Sequence, residues 1–269
     1  MKPWIKYVTV SRLAIQESMM YRLDFIVSGV MNLYTLVIPL AMWVTILAGG
    51  SEIGGYSLRT MVTYLIFVAV LRNIVLAEGF HYQLADDIEN GRLHQHLHKP
   101  LHYFVYMLHM HAGRRAVHLL FLALPAAAAM VGLIYADYIT AEGLARHVIY
   151  IVLSMVLGTG ISFLIFFCMG LLSFWVRGYH VIFIFFGNMF WFLSGMWFPP
   201  DVFASLSWLL QLLPFPYQVS FTANILSERL TTEAILEGLM YQAGWIVLLG
   251  SAAWAMWRLG LRSYQAEGG

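Results

Sequence analysis

Long apolar runs separated by short polar stretches set the pattern of this chain. Runs close to the roughly 20 residues that a helix needs to cross a bilayer occur at Phe25 to Ala48, Ser57 to Ala77, Val117 to Ile134, Val148 to Trp175, Val181 to Phe198 and Leu239 to Leu259. They are continuous, unlike the alternating segments of about ten residues that build a membrane β-barrel. The pattern predicts an all-α polytopic membrane protein with about six transmembrane helices, the fourth long enough to tilt or to extend into water.

The segments outside these runs carry their own periodicity. In residues 1–22, Trp4, Tyr7, Val8, Ile15 and Met19 fall near one helical face, with Lys6, Arg12, Gln16 and Glu17 largely on others. This predicts an amphipathic helix on the membrane surface, with a plain extension of the first span as the alternative. Between Pro199 and Gly238, Val202, Phe203, Leu206, Leu209, Leu210 and Leu213 recur at helical spacing before Pro214 and Pro216 stop the helix. Residues 199–238 are too apolar for an ordinary loop and predict an external re-entrant or interfacial helical hairpin, tolerable at membrane depth only where protein satisfies its backbone. Pro39 inside the first run kinks that helix and frees a carbonyl, as a hinge or as plain structure. No repeat, low-complexity tract or linker divides the chain, so residues 1–269 read as a single transmembrane domain.

Composition agrees: 61% of residues are hydrophobic, 16% aromatic and 11% charged, against about 25% charged in a soluble domain. The net charge of +1 matters less than where the cations stand. With the N-terminus in the cytoplasm, that side receives Lys2, Lys6, Arg12, Arg22, Arg72, Arg92, Lys99, Arg114, Arg115, Arg177, Arg258 and Arg262, and the outer side only Arg59, Arg146 and Arg229. That asymmetry predicts both termini inside. The first run starts late, is of full span length and lacks a small-residue cleavage site, so it reads as an inserted span and not as a cleaved signal peptide. The single cysteine, Cys168, leaves no internal disulfide.

Several chemistries are excluded by the residues they require. Lysine occurs only at 2, 6 and 99, none in a Gly-x-x-x-x-Gly-Lys-Ser/Thr phosphate loop, and there is no His-Glu-x-x-His pair. Phe192 stands where an intramembrane serine protease motif ending at Ser194-Gly195 needs glycine. The acidic run from Asp86 fails as a calcium loop because Ile88 holds the third position and Leu97 that of the bidentate glutamate. His94 and His98, four apart with His102 beyond, share a helical face and offer a metal-binding alternative; the other reading makes them interfacial polar groups.

The polar connection 78–115 is the most informative stretch. It predicts a helix through Phe80 to Asn90, a break at Gly91 and a second helix stopped by Pro100. Within it stand Ile88, Glu89-Asn90, Gly91, Arg92 and Leu93, then Leu97, Lys99, Pro100 and Leu101; near the last run stand Ser194-Gly195-Met196-Trp197-Phe198-Pro199-Pro200 and Leu212-Leu213-Pro214-Phe215-Pro216-Tyr217. In order and position these motifs resemble those of the membrane subunits of ATP-binding-cassette exporters of the type-2 permease superfamily, in the branch that includes viologen-exporter-type permeases. The histidine enrichment between Leu93 and His102 departs from that pattern.

The resemblance implies a non-catalytic permease subunit of the bacterial inner membrane that exports a hydrophobic or amphipathic solute. It implies a second copy or homologous permease as partner, no cofactor in this chain, and ATP and Mg on separate ATPase subunits. No nucleic-acid partner and no metal site are expected. Asp86, Asp87, Ile88, Glu89, Asn90, Gly91, Arg92, Leu93, Lys99 and Pro100 then form the cytoplasmic coupling helix that receives the ATPase, its charges docking by complementary pairing. Gly195, Pro199, Pro214 and Tyr217 become the external gate. Asn32, Phe185, Asn188 and Trp191 are candidates for the substrate path, although the aromatic crowd around Asn188 also fits lipid-facing packing. Arg72, the costliest polar group within a run, either snorkels or pairs with Glu78 or Asp24.

Overall fold

In this computed structural model, residues 3–20, 34–98 and 101–264 are described. The predicted candidates Asn32, Lys99 and Pro100, and Asp24 as a partner for Arg72, lie outside them. The helices are α1 (Pro3–Met20), α2 (Tyr34–Leu47), α3 (Leu58–Val75), α4 (Phe80–Glu89), α5 (Leu93–Leu97), α6 (Tyr103–Tyr135), α7 (Ala141–Leu171), α8 (Tyr179–Leu193), α9 (Ser207–Leu212), α10 (Ser220–Leu226) and α11 (Thr232–Ser263), with 3₁₀ segments at Leu172–Phe174 and Pro200–Leu206. The protein is all-α. Leu58–Glu89, Ala141–Phe174 and Thr232–Ser263 are long and apolar enough to cross a membrane, and Tyr34–Leu47, Pro125–Tyr135 and Tyr179–Leu193 are shorter apolar helices, so each apolar run of the sequence is met by a helix.

α3, α7 and α11 run between two ends of the bundle. At one end lie residues 194–231, where Ser57, Thr140 and Thr231 cap α3, α7 and α11 through their hydroxyls. At the other lie residues 76–102 and the start of α8. α11 packs along α7, α4 sits against α7, and α10 wedges between α3 and α7.

α1 packs along α6, but on a different face from the one its large apolar residues suggest. Val10 and Ala14 are buried, whereas Val8 and Met19 stay exposed. The crossing is too close for large side chains: a Cβ on Gly113 of α6 would stand 2.5 Å from the Ser11 carbonyl oxygen. Small residues decide the contact here, aided by Ser11 Oγ donating to the His109 carbonyl at 3.1 Å. The same support lets α6 begin at Tyr103, so the polar residues to Arg115 continue the helix and the connecting loop ends earlier than the sequence suggests.

The segment after Pro199 also differs in detail from its predicted stripe. Phe203 and Ala204 leave helical geometry, and Leu206, Leu209 and Leu212 are exposed. Burial is instead concentrated beyond the prolines: every residue of α10 is buried. With six and seven residues, α9 and α10 are each far too short to span. Their carbonyls must be satisfied by neighbours, and the backbones approach closely: a Cβ on Gly158 of α7 would lie 2.7 Å from the Gln218 carbonyl oxygen. Gly158→Ala is therefore expected to destabilise the protein by about 1–3 kcal/mol, whereas Gly244→Ala, with open space around its Cβ position, leaves stability unchanged. Thermal unfolding of the two variants in detergent checks this.

Candidate functional site

Residues 76–98 and 101–102 lie between α3 and α6 at one end of the bundle and include α4 and α5. α3 stops at Val75, and the chain passes through extended Leu76 into α4. The Ala77 amide freed by this break donates to Ser162 Oγ of α7 at 2.8 Å, in the buried core. Gly79 turns the chain at φ +99°, a conformation side-chain-bearing residues rarely adopt. α4 then lies flat on α7, with Leu84 fully buried against Gly170, where an added Cβ would come within 2.6 Å of the leucine.

The acidic residues of the motif are bonded to neighbouring helices and turns, and Asp87 turns fully inward. Asp87 is buried; its Oδ2 accepts the Tyr103 hydroxyl of α6 at 2.8 Å and its Oδ1 lies 3.4 Å from Arg92 Nε. Burial, then the carboxylate, pushes the Tyr103 hydroxyl pKa far above its ordinary value, so it stays a proton donor. The Tyr103 ring stacks on Trp257 of α11 at 5.5 Å. Asp86 accepts the Tyr179 hydroxyl, and Glu89 Oε1 accepts the Gly178 amide at 3.0 Å, which ties α4 to the start of α8. Leu93 and Ile88 are buried, whereas Asn90, His94 and His98 are exposed and Arg92 is half-exposed. Sequence reasoning identified the acidic residues but not Tyr103, Tyr179 or Ser162. The only signal was a tyrosine at the first position of α6 and of α8.

Beside this loop lies a cavity of about 840 Å³ between α2, α4, α7 and α8. Asn188 and Trp191 line it together with Tyr34, Glu78, His81 and Phe183. Phe185 is not in the lining: it is one residue off the stripe of Ile184, Gly187, Asn188 and Trp191, and is mostly exposed. Asn188 Nδ2 donates to its own helix at the Ile184 carbonyl, 2.9 Å. Arg72 is buried at the cavity's edge. It lies 3.6 Å from Glu78 Oε2 and 4.2 Å above the Trp191 ring, an ion pair plus a cation–π contact that offset burying the charge. His81 is buried between Phe166 and Phe183, and neither its Nδ1 nor Glu78 Oε1 has a hydrogen-bond partner among the described residues.

At the opposite end, in residues 194–231, lie the four gate candidates. Gly195, at φ +80°, offers its carbonyl to the Tyr64 hydroxyl at 2.6 Å, and Ser220 Oγ lies 2.8 Å from the same hydroxyl. Pro199 opens the 3₁₀ segment and Pro214 is buried. The Tyr217 carbonyl accepts Gln242 Nε2 at 2.7 Å. Gln242 also donates to the Ser154 carbonyl at 3.1 Å, and Ser154 meets Thr222 at 2.6 Å. Tyr56 donates to Asn224 Oδ1 at 2.8 Å under the Arg229 guanidinium, which is 3.8 Å from Asp201. None of Tyr56, Tyr64, Ser154 and Gln242 stands out in the sequence, because Tyr64, Ser154 and Gln242 are ordinary residues within apolar runs and Tyr56 directly precedes one.

His94 and His98 stack edge to face at 4.6 Å. Among the described residues, no group of three histidine, cysteine or acidic side chains is placed to hold a metal ion.

Residues 33–268 match the family model described as ABC-2 family transporter protein. No curated protein and no solved structure matches. Tyr103→Phe is expected to leave buried Asp87 short of a donor and to cost about 1–3 kcal/mol, read as a lowered unfolding temperature of the purified protein.

Proposed function

The chain belongs to the ABC-2 transporter family, and is thereby a multi-pass, non-catalytic permease subunit of an ATP-binding-cassette transporter; from this premise we propose that it exports a hydrophobic or amphipathic solute, powered by separate ATPase subunits that bind ATP and Mg. The observation that carries the reading is the way residues 76–102 are fastened. Hydrogen bonds from Ala77 to Ser162, Tyr103 to Asp87 and Tyr179 to Asp86 connect this loop to α7, α6 and α8. A force applied to α4 and α5 is thus delivered to three helices at once.

In this proposal the loop end faces the cytoplasm of a bacterial inner membrane, as the placement of lysine and arginine suggests, and residues 194–231 face outward. Asp86, Asp87 and Glu89 hold α4 to the bundle, and the ATPase meets the exposed surface around Asn90, Arg92, His94 and His98. A second copy or a homologous permease completes the pathway. The solute enters the cavity at Asn188 and Trp191, whose aromatic walls suit an apolar molecule. Closure of the ATPases tilts α4 with α6 and α8 and loosens the contacts of Gly195 with Tyr64 and of Tyr217 with Gln242, which form the gate.

Tagged protein purified from native membranes in mild detergent is expected to co-elute with an ATPase bearing a phosphate loop. His94→Glu combined with His98→Glu, both at exposed positions, is expected to lower that association about tenfold, the size of a 1.4 kcal/mol loss, with the permease still folded. Elution without any ATPase, or undiminished association of the double variant, overturns the docking assignment.

A further inference from the structure

Two further cavities lie at the hairpin end on the face of α11, away from the large cavity at Asn188 and Trp191. One of about 380 Å³ is lined by Asp201, Trp208, Gln211, Tyr217, Asn224 and Glu237 among others. The next, of about 510 Å³, is lined by Leu212, Glu237, Met240, Tyr241, Gly244, Trp245 and Leu248. They share Leu212, Glu237 and Tyr241, so they form one groove with a polar head and an apolar tail. From Glu237 to Leu248 the tail follows α11 for about 16 Å at 1.5 Å per residue, close to half of a hydrocarbon core about 30 Å thick. The groove therefore has the depth of a single leaflet.

The head of the groove is electrostatically uneven. Asp201 is already engaged by Gln211 Nε2 at 2.8 Å and by Arg229 at 3.8 Å. Arg229 is held over the Tyr56 ring and against the Gly54 and Gly55 carbonyls. Glu237, by contrast, is exposed and takes part in no hydrogen bond or ion pair among the described residues. Beside it, Tyr217 and Tyr241 stack at 5.6 Å, and Trp208 is exposed at the mouth. A carboxylate without a counter-charge next to aromatic faces selects a cation, and an anionic headgroup meets repulsion there.

We propose that this groove binds one phospholipid of the leaflet at the hairpin end, with a primary-ammonium headgroup on Glu237 and the aromatic residues, and one acyl chain along Met240, Gly244, Trp245 and Leu248. Gly244 leaves the room for the chain: nothing lies within 4 Å of its Cβ position. The site does not depend on the direction of transport or on which solute is carried.

The test uses the purified full-length permease, equilibrated with vesicles of equal parts phosphatidylethanolamine and phosphatidylglycerol and examined by native mass spectrometry for retained lipid. Phosphatidylethanolamine is expected to be retained about threefold over phosphatidylglycerol, the scale of a partly exposed ion pair. Glu237→Gln abolishes the preference while lipid is still retained. Gly244→Leu fills the tail without touching the core and reduces retention of both lipids, with thermal unfolding unchanged as the control for folding. Equal retention of the two lipids by the unaltered protein, a preference that survives Glu237→Gln, or retention unaffected by Gly244→Leu overturns the proposal.

Discussion

Inside hydrocarbon a backbone amide or carbonyl that leaves a helix has no water to turn to, and each one left bare costs several kcal/mol. This chain interrupts its helices twice at places where apolar side chains surround them. At the break after α3, the freed Ala77 amide is caught by Ser162. In the segment 194–231, Gly195 and Tyr217 carbonyls are met by Tyr64 and Gln242. The irregular segments therefore exist only because α3, α7 and α11 each direct a polar side chain inward at the matching height. The close backbone contact at Gly158 follows from the same demand, since donors and acceptors must come within hydrogen-bonding reach.

The two interruptions lie at opposite ends of the bundle and have different characters. The loop end is held by charge-assisted bonds, with Asp86, Asp87 and Glu89 each accepting from a different partner. Such bonds are short and directional. The hairpin end combines neutral contacts among tyrosine, serine, threonine and glutamine, each individually modest, with the charged ties of Arg229 and Asp201.

Arg72 stands in the last turn of α3, beside the loop end. Its guanidinium is shared between Glu78, at the start of the loop, and Trp191, on the α8 face that lines the large cavity. An ion pair supported by an aromatic face is a means of keeping a charge at depth without water. It also places a loop residue and a cavity residue on the same side chain, so displacement of one is felt by the other.

Much of this architecture was legible from the order of residues alone. Hydropathy is a local property, and the apolar runs, the helical loop broken at Gly91 and the family motifs could all be read without knowing what touches what. The pairing of Arg72 with Glu78 was also readable, because the two stand close in sequence. What the sequence could not determine was the partner of each polar group. Asp86 meets Tyr179 and Ala77 meets Ser162 across 93 and 85 residues, and no periodicity encodes a contact at that range. For that reason Asp86, Asp87 and Glu89, which read as charges for a partner protein, emerge as internal ties. For the same reason α1 buries Ala14 where large apolar residues were expected. Helix existence is set by the free energy of transferring a run of side chains from water, whereas the buried face of a helix and the satisfaction of its polar groups are set by close packing, which only the folded chain decides.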